Sequence, residues 1–322
     1  MKRQAILLST MVVLLFGLDY TRGDITQYSI QAIDFRVQGL NDSAVVVGMA
    51  TFGCPPILWQ NGLQQTLSIP AGNYVYHYAL NNGGQVVGDS GYRAFSWQNG
   101  ELTYIAPANS SAQAVNNHGQ VVGYYGIVER GFIWDAGHGF MDLGDLGGDR
   151  TLAYAINDNG LVVGQSGYNS AFLWQNGIMT DLAFHDRPRA INNSGQIVGG
   201  GYGSFIWDNG NLTYFGGSSG TARAINDLGQ VVGYSDSTTE GFAYIWENGT
   251  MKDLNLFLPV NSGWYLVSAL DINSSGQILG EGYFDGQWSG FLMTPVPAPG
   301  ALLLGTIGLS FSGWLLRRRR TL

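Results

Sequence analysis

Between its two ends the chain keeps its apolar positions in short runs, broken every few residues by Gly, Asn and Asp. No stretch there sustains the 3.6-residue period of an amphipathic helix; the pattern is one of short strands and tight turns. Residues 155–166 read AINDNGLVVGQS, and nearly the same phrase returns at 190–201 (AINNSGQIVGGG) and 224–235 (AINDLGQVVGYS). The unit is A-[IVL]-N-[ND]-x-G-Q-[VI]-V-G, then a variable stretch, then [AG]-F-x-W and x-N-G. Its first Asn occurs at Asn41, Asn81, Asn116, Asn157, Asn192, Asn226 and Asn273, at spacings of 40, 35, 41, 35, 34 and 47 residues. The tryptophan follows at Trp59, Trp97, Trp134, Trp174, Trp207 and Trp246, with Met293 in its place in the seventh copy. The first copy is degraded and the last truncated.

Each copy predicts four strands. Asn157, Asp158 and Gly160 mark a turn: Asn and Asp open a type I turn through side-chain bonds to nearby backbone, and Gly supplies the left-handed residue of a G1 bulge. Gln-Val-Val-Gly predicts a short β-branched strand ended by its Gly. Residues 171–174 (AFLW) form a third strand, apolar on both faces. Asn176-Gly177 is a hairpin signal, and residues 178–182 alternate as the fourth strand. Four short antiparallel strands per roughly 40 residues is the signature of a propeller blade, with the tryptophans as wedges between neighbours. The seventh copy lacks a fourth strand, while residues 27–34 alternate like a strand with no repeat before them. Pairing the two closes a ring of seven four-stranded blades and hides an open edge. An open β-solenoid is the alternative, since 34–47 residues per unit is wide variation. The fold class is therefore all-β, a β-propeller over residues 24–294.

The repeat and its flanks resemble a known family. Residues 141–148 (MDLGDLGG), 155–164 (AINDNGLVVG) and 171–174 (AFLW) are similar to the HAF-repeat family of bacterial extracellular proteins, whose consensus runs DLGTLGG, AINDxGQVVGxS, HAFLW. Asp145 stands where Thr is usual, and the His that names the family is absent, with Arg93, Ser170 and Ser204 in its place. The resemblance spans nearly all of residues 28–294. It implies a secreted propeller-like protein and brings no catalytic residue, cofactor or metal.

The ends read as addresses. Lys2 and Arg3 precede an uncharged apolar stretch over 5–18, the layout of a signal peptide, with a boundary near residue 23. At 295–322, Val296, Pro297, Ala298 and Pro299 are followed by an uncharged apolar stretch over 301–316 and by Arg317, Arg318, Arg319 and Arg320. The arginines hold that end in the cytoplasm and place the body outside. This order resembles the PEP-CTERM sorting signal of Gram-negative bacteria, with Ala298 in place of the usual Glu. The resemblance implies processing by an exosortase at the inner membrane and release to the cell surface or medium. Retention as a single-pass anchored protein is the fallback.

Composition adjusts this picture. Charged residues make up only 12% of the 322-residue chain, Gly numbers 48, and aromatics reach 13%. Residues 24–296 hold eight basic side chains (Arg36, Arg93, Arg130, Arg150, Arg187, Arg189, Arg223 and Lys252) against 22 acidic ones, a net of −14. Nucleic acid is not a partner of so acidic a body. Cys54 is single and has no partner for a disulfide.

Candidate chemistry is thin. A calcium loop at 157–160 would need a constant ligand set, yet Asp158 and Asp227 become Asn82, Asn117, Asn193 and Ser274 in other copies, as a turn tolerates. His77, His118, His138 and His185 share no metal-like spacing. Arg187-Pro188-Arg189 reads as a solvated loop or as a site for a sulfate or sugar acid. Tyr74, Tyr76 and Tyr78 alternate on one strand face, suited to blade packing or to sugar stacking. Insertions at 126–130, 136–148 and 255–264 depart from the repeat, and sites are expected where the repeat is broken. Three functions stay open: a non-enzymatic propeller binding exopolysaccharide or an envelope protein, a glycan hydrolase or lyase working in the funnel, and a purely structural surface or matrix subunit with no ligand.

Overall fold

The computed structural model describes residues 27–69, 77–167, 170–217, 219–236 and 241–296. Seven four-stranded antiparallel sheets follow one another around a ring. Six are sequential meanders. The seventh joins Trp264–Ile272, Ile278–Phe284 and Gln287–Val296 to Gln27–Ile33 from the start of the described chain. That closing strand pairs from Gln27 opposite Val296 to Ile33 opposite Gly290. The ring expected from the truncated last copy is therefore present. Its last blade runs to Val296, two residues past the expected boundary, so the first residue of the Val-Pro-Ala-Pro motif belongs to the propeller. The signal peptide, Pro297, Ala298, Pro299, the apolar stretch at 301–316 and the four terminal arginines lie outside the described residues, as do Tyr74 and Tyr76. Among the described residues no helix is long and apolar enough to cross a membrane.

The two valines of each Val-Val-Gly explain why the blades stack. Alternation sends adjacent side chains to opposite sheet faces. Val162 accordingly joins the apolar cluster shared with the preceding blade, and Val163 the cluster shared with the following one. Seven such clusters fill the seven interfaces; the one between the last and first blades contains Leu279, Leu292, Val46 and Trp59. A single blade has no core of its own, so stability is shared between neighbours.

The six tryptophans pack in the clusters between blades as expected, but they are not the deepest residues there, and the expected strand end at Gly needs correction. The fully buried wedge is the aromatic residue two positions before the tryptophan: Phe95, Phe132, Phe172, Phe205, Tyr244 and Phe291 are all at 0% exposure. Trp59 and Trp174 are also buried, whereas Trp97, Trp134, Trp207 and Trp246 are half-buried at the margins of the same clusters. Gly of Val-Val-Gly does not end its strand; Val162–Ser166 runs straight through Gly164. A Cβ there would lie 1.9 Å from the Leu152 carbonyl oxygen and 2.8 Å from the Phe172 ring. The glycine is a packing requirement set first by the backbone of the bulged strand paired with it and then by the wedge ring.

The turns match their sequence signals. Gly160 has φ +74 and its N–H donates to the Asn157 carbonyl, while Asn157 N–H donates to the Leu161 carbonyl. Asn176 and Gly177 both have positive φ, as the favoured two-residue hairpin turn demands.

Candidate functional site

The first strands of successive blades contact one another around the axis, and the fourth strands form the exposed rim. Because a turn of the Asn157 type follows each first strand, all seven turns converge on one mouth. They line a polar cavity of about 220 Å³. Here the seven asparagines do something no single copy reveals. Each side-chain amide donates to the backbone carbonyl of the next blade's asparagine: Asn41 to Asn81 (3.2 Å), Asn81 to Asn116 (2.9 Å), Asn116 to Asn157 (3.0 Å), Asn157 to Asn192 (2.9 Å), Asn192 to Asn226 (3.1 Å), Asn226 to Asn273 (3.1 Å) and Asn273 to Asn41 (3.1 Å). The circle closes on itself. Meanwhile each Oδ1 accepts local backbone N–H groups, as Asn157 does from Asn159 and Leu161 at 3.0 Å each.

A second tier sits one residue on. The N–H of Asn117 donates to Asp158 Oδ1 at 2.8 Å, that of Asp158 to Asn193 Oδ1 at 2.9 Å, and that of Asn193 to Asp227 Oδ1 at 2.8 Å. Asp and Asn serve equally because the task is one acceptor oxygen, which is why the copies interchange them. Burial by itself raises the Asp42 carboxyl, but hydrogen bonds from Ser274 and Asn82 outweigh it and hold the group below the usual carboxylate range. Among the described residues no three His, Cys, Asp or Glu side chains gather as a metal-ligand set. This mouth is a structural crown.

The other mouth is chemically different. Each first strand begins there, so residues three and five before the marker asparagine lie roughly 10 and 17 Å from the crown at 3.3 Å per residue. Arg187-Pro188-Arg189 is on the first strand of blade five, Arg187–Ile191, and is not the solvated loop of the alternative reading. Arg223 occupies the position of Arg189 in the next blade's first strand, Gly220–Ile225. The Arg187 guanidinium reaches back over the Tyr154 ring of blade four, 4.1 Å from its centroid, and Arg223 lies 5.3 Å from the Tyr234 centroid. Burial lowers the Arg189 guanidinium to about 10, assisted by the positive charges of Arg223 and Arg187. Burial also lowers Arg223 and raises Glu281 on blade seven, where Arg36 and Arg223 pull it back down. The buried Nε atoms of Arg189 and Arg223 and the Oγ of Ser268 have no hydrogen-bond partner among the described residues. They belong to the first strands of blades five, six and seven.

Exposed aromatic residues gather at the same end of the ring. Blade seven has longer strands than its neighbours and carries exposed Tyr283, Phe284 and Trp288 there, with Trp264 half-buried against the core beneath them. Trp264 stacks on Phe284 at 4.9 Å, and Tyr283 meets Trp288 edge-on at 5.2 Å. Phe52, Tyr92 and Tyr202 are exposed in the turns between second and third strands of blades one, two and five.

Other sequence candidates disperse. Tyr78 is buried, with its hydroxyl donating to the Cys54 carbonyl at 2.9 Å. Cys54 is half-buried and its Sγ lies 3.1 Å from Thr51 Oγ1. His77 is bonded to the Gln113 carbonyl and held low by burial, His118 sits in the crown, His138 pairs with Asp135, and His185 is exposed. In the insertions, Arg130 pairs with Asp142 at 2.8 Å, and residues 254–257 form a short 3-10 turn. The sequence reading missed Arg223, Tyr154, Tyr234, Ser268 and Glu281. The aligned position three before the marker asparagine held a signal. It reads Gln, Tyr, Gln, Tyr, Arg, Arg, Leu around the ring, large side chains throughout, while the position after it is Ala in five of the seven copies.

A family model described as "Protein of unknown function (DUF3466)" matches residues 144–286. No curated protein matches the chain. Among solved structures, YCF48 bound to a D1 peptide is 13% identical with a TM-score of 0.55, covering 85% of this chain and 98% of that one. The extracellular domain of BT4673 from B. thetaiotaomicron is 8% identical at TM-score 0.56, covering 85% of this chain and 40% of that one. An oligogalacturonate lyase in complex with manganese is 13% identical at TM-score 0.51, covering 84% and 99%. At these identities the likeness is one of fold.

Proposed function

We propose that this chain is an exported binding propeller without catalytic activity, working in the envelope or extracellular matrix on an exopolysaccharide or protein partner. The carrying observation is the arginine- and tyrosine-lined mouth opposite the crown. It is polar, half-buried and unlike the repeat that builds it, which is where a propeller's specificity is expected. Export rests on the sequence at both ends: the Lys2-Arg3 leader, and the tail of Val296, Pro297, Ala298, Pro299 and Arg317, Arg318, Arg319 and Arg320. On this reading the tail holds the protein at the inner membrane until exosortase releases it.

Two measurements test the proposal. Cell fractionation with and without exosortase should move the protein from medium or surface to the inner membrane, and Ala298→Glu should increase release. A glycan array and envelope pull-down with the purified protein should return a ligand that binds without being consumed. A second reading is a glycan lyase or hydrolase, favoured by Glu281, a carboxyl raised by burial beside arginines. Appearance of shortened or unsaturated oligosaccharides on incubation would establish that reading in place of the first.

A further inference from the structure

Half of the eight basic side chains in an acidic body stand on the first strands of three blades. The other four are already engaged. Arg130 pairs with Asp142 and Asp145, Arg150 with Glu129, Lys252 with Glu247, and Arg93 lies over Tyr104 and donates to the Ala106 carbonyl. Arg187, Arg189 and Arg223 make no ion pair with a carboxylate among the described residues, and burial, with the neighbouring arginine charges adding to it, disfavours the charge of Arg189 and Arg223. Gathering three guanidinium groups and leaving two Nε donors orphaned costs stability, since buried polar groups are normally satisfied. Such a cost persists where a ligand supplies the missing partner.

We propose that Arg187, Arg189 and Arg223 form an oxyanion site that binds the acid group of a sugar, with Ser268 and Glu281 addressing its hydroxyls. This rests on reading the mouth as a binding site. Guanidinium forks match the paired oxygens of a carboxylate or sulfate, and three neighbouring donor sets exceed what one neutral hydroxyl can accept. Ser268 both donates and accepts, and Glu281 accepts, so a polyhydroxylated ring finds complements beside its acid group. Tyr283, Phe284 and Trp288 are exposed at the same end of the ring and offer ring faces to the C–H faces of further sugar residues.

The test uses the full-length protein in detergent, titrated by calorimetry with oligogalacturonate, its neutral methyl ester, a sulfated oligosaccharide, and a peptide with a free or amidated C-terminus. Oligogalacturonate or the sulfated sugar binds, its methyl-esterified or unsulfated form does not, and added salt weakens binding. Whichever acid binds identifies the source of the oxyanion. Arg189→Met and Arg223→Met each weaken binding by roughly tenfold or more, the scale of one charged contact. Both variants melt at or above the parent temperature, because the like charges they remove oppose one another; a merely structural arginine would lower it. Equal binding of acid and ester, or binding indifferent to both substitutions, overturns the oxyanion site but leaves a glycan-binding propeller standing. Binding of the free peptide C-terminus alone overturns the saccharide assignment. Failure of every probe overturns the site, and failure of array and pull-down as well removes the binding reading beneath it.

Discussion

Replacing Asn157 tests whether the asparagine circle holds the propeller together. Its side chain is 4% exposed and makes three hydrogen bonds: Nδ2 to the Asn192 carbonyl at 2.9 Å, and Oδ1 from the N–H groups of Asn159 and Leu161. In Asn157→Ala the Asn192 carbonyl keeps its bond from Gly195 N–H, and water can reach the N–H of Asn159. Leu161 N–H loses its acceptor. At about 1 kcal/mol for each net bond the loss is about 3 kcal/mol. For a ring this size that lowers the melting temperature by roughly 6–12 °C. Asn157→Asp separates the two roles. It keeps the turn acceptor, loses the donor between blades, and sets a carboxylate against a carbonyl oxygen. It should cost about 1–2 kcal/mol at neutral pH and recover in acid, where the protonated carboxyl can donate again. Asn192→Ala should cost about 1 kcal/mol more than Asn157→Ala, since its amide also donates to Gln196 Oε1 at 2.9 Å whereas Leu161 occupies that position in the Asn157 copy. Urea unfolding followed by tryptophan fluorescence gives these values, with an unchanged slope confirming that the same surface is exposed. If Asn157→Asp matches the parent at neutral pH, the circle does not join the blades.

Further outcomes follow from the same geometry. Gly164→Ala should cost more than about 3 kcal/mol and abolish soluble expression, because its Cβ meets backbone and the buried Phe172 ring. Ala44→Gly should stabilise the first blade by about 1 kcal/mol, since Ala44 holds φ +57 where the other copies use glycine. A scanning-calorimetry shift in the opposite direction would count against that reading. Burial pushes the Asp271 carboxyl up to about 6, above its unfolded value, so the folded protein keeps this proton longer. Stability then falls as pH rises from about 4 to 6 and levels off above, and Asp271→Asn should flatten that slope in urea titrations. Deleting residues 27–33 removes the strand paired with Gln287–Val296 and bares its edge; light scattering should show association.

The sequence alone determined the number of blades, their four strands and the closing strand, because those depend on local period and turn chemistry. Asn176-Gly177 and Gly160 require backbone conformations that few other residues adopt, so they are legible without coordinates. Residues 171–174 (AFLW), apolar at every position, likewise announce a strand buried on both faces. Tertiary structure decided what the repeat is for at the centre. Asn157 looks like a turn former in isolation; only ring closure places its amide against Asn192, 35 residues on. The tryptophans share the wedge role with a deeper aromatic residue two positions before them, because depth in an interface depends on the neighbouring blade, which no local pattern encodes. Arg187, Arg189 and Arg223 meet for the same reason. Residues 34 to 36 apart in the chain become neighbours when adjacent blades bring equivalent positions together, and charge crowding at the mouth arises only then.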